Sequence, residues 1–414
     1  QGVAQAEDYY VKTKGYRVEP EPDPPSYVRN LSKTQFEQFR DVTWLDVGLD
    51  FRTRFEYREN DYRVTPKQAN GSIYRAVPDS PFLLRTRAYL GVKDILDPLR
   101  FVIEYQDSRM YHTNYETTSN EVDEFDLLQG YGELYFKNAL GNNRPLSIRA
   151  GRQSLELLDR RLIANNQFRN TSNNFEGYRV RFGKKQNDWD LDTFAFHPVV
   201  RYKYKFDKAD TNTWIYGGVL SLKQWSDVLT IQPYFIGRSV NGDPYNVNTA
   251  VRTNDQDIYS PGLRVYGVIP NTGFDFDADI TKQFGRFGVT RNVSTPQLVN
   301  GRIRNVSTPQ QKLLQHDALA YALELGYTFD HDWKPRASAF YGYGTGDKVS
   351  NSVATDGYNQ RFDAFYGFNQ PWSRNDYFSW DDIHAPKLRL EMTPYQDVQV
   401  DAGFNMYWLA NPAA

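Results

Sequence analysis

Hydrophobic and charged side chains alternate strictly in the segment from Asp46 to Arg58. One face carries aliphatic and aromatic residues: Val47, Leu49, Phe51, Phe55 and Tyr57. The other face carries charged residues: Asp50, Arg52, Arg54, Glu56 and Arg58. A period of two predicts a β-strand whose two faces meet different surroundings. Long charged faces opposite long apolar faces are typical of a transmembrane β-barrel with a water-filled lumen.

The same alternation recurs along the rest of the chain, without a convincing amphipathic helix between the segments. About fifteen strands are predicted, and an even-numbered barrel requires at least one more. The connections alternate between tight ones, such as 94–98 and 138–144, and long ones, namely 59–80, 109–124, 239–256 and 347–383. We therefore predict an all-β fold, a large antiparallel transmembrane β-barrel with short periplasmic turns and long extracellular loops.

Composition fits this prediction but leaves a soluble all-β protein open. Tyr, Phe and Trp make up 15% of the 414 residues, which is consistent with the aromatic girdles of an outer-membrane barrel. The chain has no cysteine, which excludes disulfides and thiol-bound metals, and its net charge of -2 gives no general attraction to nucleic acid.

The chain is expected to have two regions, one rich in proline and one with the alternation of β-strands. Residues 1–40 form a proline-rich arm, since the run Glu19–Pro25 must be extended. The arm lies on the periplasmic side or folds against the lumen. Residues 41–414 form the barrel, which we expect to continue into further strands beyond residue 414. The heptapeptide Arg291–Gln297 recurs at Arg304–Gln310, and we interpret it as a duplication inside a mobile connection.

Motifs for catalysis or for cofactors are not evident. The five histidines lack metal-ligand spacing, and no phosphate-binding loop or nucleophile motif is present. We therefore predict no enzymatic activity, no cofactor and no metal site.

The candidate functional residues are the charged side chains predicted to face the lumen. Most are arginines: Arg52, Arg54, Arg85, Arg87, Arg149, Arg179, Arg181, Arg264 and Arg389. Carboxylates share the same faces, among them Asp50 and Glu133. These groups form either a salt-bridge lattice that stiffens the wall or a ladder of guanidinium groups that replaces water around the carboxylates of a polyanion.

Residues 127–196 contain a recognisable set of motifs: Gly151-Arg152-Gln153, then Asn170-Thr171 and Asn174-Phe175-Glu176-Gly177 downstream. The segments Leu83–Val92 and His316–Tyr321 fit the same pattern. In these motifs the chain resembles the alginate-export family of outer-membrane proteins. The resemblance implies a monomeric barrel of about eighteen strands, so the expected number is 16 to 18. It also implies an electropositive constriction that passes an anionic polysaccharide, lined by Arg152 at the family's Gly-Arg-Gln position. Strand alternation places Arg149 and Gln153 inward and leaves Arg152 ambiguous.

These observations predict a passive, charge-selective channel for an anionic polysaccharide or small anions in the outer membrane of a Gram-negative bacterium. Its expected partners are outer-membrane lipid, lipopolysaccharide and a periplasmic secretion scaffold. A general or sugar-uptake porin is an alternative. A barrel plugged by its own loops and arm, with a structural or interaction role in the envelope, is another.

Overall fold

The computed structural model describes residues 22–59, 61, 77–223, 226, 228–242, 254–299, 302–348, 356–369, 371–373 and 376–412. Within them lie eighteen β-strands and two single-turn 3-10 helices, Leu31–Lys33 and Glu37–Phe39. The strands are β1 (Val28–Asn30), β2 (Leu45–Phe55), β3 (Phe82–Leu96), β4 (Leu99–Tyr111), β5 (Asp123–Phe136), β6 (Leu146–Gln153), β7 (Phe175–Phe182), β8 (Trp189–Val200), β9 (Lys208–Ala209), β10 (Thr213–Leu222), β11 (Leu229–Val240), β12 (Gln256–Val268), β13 (Phe274–Val299), β14 (Arg302–Thr328), β15 (Arg336–Gly344), β16 (Tyr358–Asn359), β17 (Ile383–Tyr395) and β18 (Val398–Asn405).

The long strands form one continuous antiparallel meander. Apart from the short strands β1, β9 and β16, fifteen strands of eight residues or more follow one another from β2 to β18, and each pairs with the next long strand. The all-β prediction is thereby confirmed, and the eighteen-stranded sheet agrees with the number that the family resemblance implies. No helix in the described ranges is long and apolar enough to cross a membrane.

The sheet has a turn side and a loop side. Tight turns such as Leu96 to Leu99 join strands at the turn side, which in bacterial outer-membrane barrels faces the periplasm. Long connections join strands at the opposite end, the loop side. Parts of the predicted loops 59–80, 239–256 and 347–383, and residues 1–21 of the arm, lie outside the described residues.

Burial in this sheet is inverted relative to a soluble protein. Leu49 and Phe51 on β2 are 70% and 63% exposed, whereas Arg87 on the facing strand β3 is 1% exposed. A soluble globule would bury the apolar side chains and hydrate the arginine. The apolar faces therefore suit hydrocarbon, and the charged faces line an enclosed interior.

The repeated heptapeptide is part of a paired hairpin, so its interpretation as a mobile connection was wrong. The two copies lie in β13 and β14 and pair with each other, with Arg291 opposite Gln310, Ser294 opposite Ser307 and Gln297 opposite Arg304. Antiparallel pairing of β13 with β14 places the two copies side by side. Each copy therefore finds its hydrogen-bonding partners in the other.

Candidate functional site

The inner surface of the sheet carries the charged side chains that the alternation predicts to face inward. Eight of the twelve predicted lumen residues are buried: Arg85, Arg87, Arg149, Arg152, Arg179, Arg264, Arg389 and Glu133. The other four are partly buried: Asp50, Arg52, Arg54 and Arg181. The structure does not bring all of them into one ring: eleven lie in three different environments, and Arg152 lies apart from these.

The first environment is the contact between β2, β3 and the connection from residue 154 to residue 174, here called the first inward segment. The guanidinium group of Arg52 donates to the carbonyl oxygens of Gln167 and Arg169, both at 2.7 Å. Arg54 donates to the carbonyl of Phe168. These backbone oxygens are acceptors without formal charge. Arg52 and Arg54 therefore hold the segment against the wall by charge-assisted hydrogen bonds.

The neighbouring arginines of β3 make similar contacts. Arg85 lies 3.2 Å from a carboxylate oxygen of Asp50 and also reaches the carbonyl of Gln167. Arg87 donates to the hydroxyl of Ser172 at 2.5 Å and to the side chain of Gln106 at 3.0 Å. Four arginines of two adjacent strands thus converge on one short stretch of the first inward segment.

The second environment is an ion-pair network near the turn side. Arg149 lies 2.9 Å from Glu133 and 2.7 Å from Asp23 of the N-terminal arm. Arg181 lies 3.1 Å from the same Asp23, and Arg179 pairs with Asp192 through two guanidinium nitrogens. The arm is also joined to the wall by pairing between β1 and β2. Residue 23 therefore lies among lumen arginines.

Ion pairs also dominate the opposite wall, which is the third environment. Arg264 makes a two-pronged pair with Asp277, at 2.7 and 3.0 Å. Arg389 lies 2.7 Å from Asp401 and 2.9 Å from Glu391. Asp277 of β13 is therefore countered by an arginine of the adjacent strand β12.

Arg152 faces inward, which resolves its ambiguous position in the sequence. It lies 3.1 Å from Asp126 and 3.2 Å from Glu176, and it donates to the carbonyl of Asp207 at 3.0 Å. Gly151 before it has a φ of 126°, a value that side chains other than glycine rarely adopt. This local conformation breaks the simple alternation, so Arg149, Arg152 and Gln153 are all buried.

An apolar cluster inside the sheet was missed by the sequence analysis. The first inward segment contributes Leu155, Leu162 and Ile163, and residues 356–382, here called the second inward segment, contribute Trp372 and Trp380. They pack on inward side chains at the loop-side ends of the strands, among them Phe194, Phe196, Ile215, Ile236 and Ala320. Apolar residues within long loops were the signal that could have predicted this. The two segments narrow the interior by hydrophobic packing.

A cavity of about 600 Å³ lies between the two inward segments and the loop-side ends of β7 and β8. Its lining includes three arginines, Arg169, Arg201 and Arg361, and two carboxylates, Asp363 and Asp381. It also includes aromatic rings, namely Phe287, Phe362, Phe365 and Tyr366. A volume of this size suits a ligand of a few sugar units or a small organic acid.

Arg201 differs from the other two arginines of the cavity. Arg169 lies 2.7 Å from Asp376, and Arg361 lies 2.7 Å from Asp381. Arg201 instead donates to the amide oxygens of Asn173 and Asn120, and among the residues that the structure describes no carboxylate lies within ion-pair distance of it. Burial, together with the charge of Arg169, lowers the pKa of Arg201 to about 10. It therefore remains positively charged at neutral pH.

Comparison with known proteins adds a family and a fold. The family model for alginate export matches residues 43–414. The comparison with curated protein sequences gave no match.

Among solved structures, OccAB1 of Acinetobacter baumannii is 11% identical with a TM-score of 0.51, covering 88% of this chain and 80% of its own. OccK8 (OprE) of Pseudomonas aeruginosa is 13% identical with a TM-score of 0.44, covering 84% and 78%. A BenF-like porin of Pseudomonas fluorescens is 9% identical with a TM-score of 0.41, covering 88% and 94%. OccAB1 supports the assignment of an outer-membrane barrel fold.

Proposed function

The chain belongs to the alginate-export family and is an outer-membrane β-barrel, and we propose that it is a passive, anion-selective channel. Its solute is an anionic polysaccharide or small anions that carry carboxylates. No energy source within the chain is required, since a channel only lowers the barrier to diffusion.

The cavity between the inward segments carries the proposal. Arg201 offers it a guanidinium group that has no carboxylate within ion-pair distance among the described residues, while Asp123 and Asp207 act on it only at longer range. Aromatic faces of Phe362 and Phe365 line the same space. A guanidinium group beside aromatic rings suits an acidic sugar, because the carboxylate pairs with the cation and the ring of the sugar packs on the aromatic face.

Because the other lumen arginines are paired, a weak preference for anions is better supported than tight binding of an anionic polymer. Most predicted lumen arginines already contact carboxylates or backbone oxygens, as Arg149 and Arg264 do. Their charge is largely compensated, and few guanidinium groups are left to hold a passing polymer. One guanidinium group without a direct ion pair in a narrow passage raises the local concentration of anions without trapping them.

Reversal potentials in planar bilayers test the proposal. A salt gradient across membranes that contain the wild-type chain should give a potential of the sign expected for anion preference. Arg201→Gln should reduce this potential, and Arg201→Glu should bring it to zero or reverse it. Arg286→Gln is a matched control, because Arg286 is 66% exposed and pairs with Asp257 away from the cavity. An unchanged anion preference in folded Arg201→Glu would refute the role of this cavity.

Uptake of neutral sugars is the second candidate function. The aromatic lining of the cavity favours it, because stacking on a sugar ring requires no charge. Liposome swelling separates the two functions. Equal rates for a neutral sugar and for the corresponding uronic acid would favour the sugar porin, whereas faster entry of the uronic acid would favour the anion channel.

A plugged barrel is a third candidate, supported by the inward segments and by the arm contact at Asp23. A closed envelope component would not conduct even after removal of residues 1–40.

We also propose lipopolysaccharide as a partner of the loop-side rim and a periplasmic scaffold as a partner of the short turns. Cross-linking from single cysteines introduced into each rim would test both, since the chain has no cysteine.

A further inference from the structure

Three buried aspartates meet at the loop side, outside the cavity described above. Asp123 and Asp126 lie at the start of β5, and Asp207 lies in the connection between β8 and β9. Their side chains are 3%, 3% and 2% exposed. One carboxylate oxygen from each lies within 4.8 Å of the corresponding oxygens of the other two.

The charges of this aspartate cluster are only partly compensated by protein groups. Arg152 pairs with Asp126 at 3.1 Å, and it shares its charge with Glu176. Asp126 also accepts the backbone N–H groups of Leu127 and Asp207. Asp126 therefore has more direct partners than the other two aspartates.

Asp123 and Asp207 differ from Asp126 in having no ion-pair partner among the described residues. In the part of the chain that the structure describes, neither has an arginine, lysine or histidine within ion-pair distance, and Arg201 attracts both only at longer range. Asp207 accepts the N–H of Tyr202 at 2.6 Å. Oδ1 of Asp123 is buried and has no hydrogen-bond partner within the same residues. A buried carboxylate oxygen without a direct partner is costly, so this oxygen points to a bound cation.

We propose that Asp123, Asp126 and Asp207 bind one divalent cation, with Ca²⁺ preferred. Ca²⁺ binds carboxylate oxygens at 2.3–2.6 Å, so two ligands of one ion lie at most about 5 Å apart, which agrees with the 4.8 Å limit of the cluster. The donors are all oxygen, which suits a hard cation and disfavours zinc or copper. Arg152 pairs directly with one of the three aspartates, and a divalent ion would give the other two the direct partner that they lack.

The position of the site gives the ion a structural consequence. It joins the start of β5 to the β8–β9 connection, and Arg152, which contacts both Asp126 and the backbone of residue 207, lies two residues before the first inward segment. Calcium would therefore fix the attachment of that segment at the loop side. This inference does not depend on the nature of the solute.

Calcium binding to the purified full chain tests the proposal. The protein is refolded from inclusion bodies into detergent, which avoids calcium held by lipopolysaccharide, and is then treated with a chelator. Isothermal titration with CaCl₂ should give one site per chain, and the thermal midpoint should rise with calcium. Affinity in the millimolar to submillimolar range is expected for an extracellular site.

Variants of the proposed calcium ligands are compared with the wild type. Asp123→Asn and Asp207→Asn should abolish the calcium response, and without calcium both should be at least as stable as the wild type, because each removes a buried like charge. Asp376→Asn is the matched control, since Asp376 is an inward-segment carboxylate paired with Arg169, and it should keep the response. Absence of calcium and magnesium binding to the wild type would overturn the proposal. An equal calcium response in Asp123→Asn and the wild type would also overturn it.

Discussion

Arg52 holds Arg169 by its backbone. The Nη2 group of Arg52 on β2 donates a hydrogen bond to the carbonyl oxygen of Arg169 at 2.7 Å, while its Nη1 group donates to the carbonyl of Gln167. The side chain of Arg169 is thereby positioned at the cavity that also contains Arg201. An arginine of the wall therefore acts on the passage indirectly, because it anchors the first inward segment.

Arg52→Met should loosen the first inward segment without unfolding the barrel. It removes three hydrogen bonds from a charged donor, two of them to backbone carbonyls, and such a bond contributes about 1.5–3 kcal/mol. We expect higher or noisier single-channel conductance and faster proteolysis within residues 154–174. Arg286→Met, on the exposed surface, is the control. Conductance and protease resistance equal to those of the wild type would contradict the anchoring role.

Arg336 on β15 contacts three carboxylates of the wall. It lies 2.6 Å from Asp275, 3.0 Å from Glu324 and 3.1 Å from Glu391, and it is 2% exposed. Arg336→Met leaves these three carboxylates without this partner, and breaking a buried pair typically costs about 3–5 kcal/mol. Urea unfolding in lipid vesicles should reveal a loss of this size.

The change in unfolding free energy should be largely recovered when the carboxylates are also removed. The variant with Arg336→Met, Asp275→Asn and Glu324→Gln leaves fewer unpaired buried charges than Arg336→Met alone. If the single and triple variants were equally unstable, packing and not charge pairing would be the main role of Arg336.

Docking of the N-terminal arm should depend on the charge of Asp23. Loss of hydration alone would raise the pKa of this carboxyl group, but Arg149, Arg181 and Arg179 outweigh that effect and hold the pKa well below its ordinary value of 3.8. A carboxylate with a lowered pKa in the docked state stabilises docking above pH 3.8. This stabilisation is lost as the pH falls toward the pKa of the docked state.

A fluorophore on the arm can follow this dependence. The chain has no cysteine, so Ser26→Cys provides a unique attachment point, and high anisotropy reports a docked arm. We expect constant anisotropy from neutral pH down to about pH 4 and a decrease at lower pH. Asp23→Asn should lower the anisotropy over the whole pH range. Glu37→Gln is the control and should not lower it, because Glu37 only forms an exposed ion pair with Arg40. A pH-independent signal in both proteins would argue against charge-dependent docking.

The sequence predicted the wall better than the interior. Alternation is a local property of each strand, so Phe51 and Arg52 could be assigned to opposite faces without knowledge of their neighbours. The contacts of Arg52 could not be predicted, because its partners lie more than a hundred positions away in a segment without periodicity. The positions of Trp372 and Trp380 depend likewise on long-range packing.

The inverted exposure of the wall leads to a prediction about the membrane itself. Ile103 on β4 is 55% exposed, whereas its neighbours Val102 and Glu104 are buried. Ile103→Arg should cost up to about 2–4 kcal/mol, depending on its depth, because a charged side chain would then face hydrocarbon. Ile103→Leu, which keeps the face apolar, is the control. Refolding into vesicles, followed by urea titration, measures both variants. Equal stability of the two in vesicles would mean that Ile103 does not contact lipid, and the assignment of the exposed apolar face to the bilayer would then be wrong.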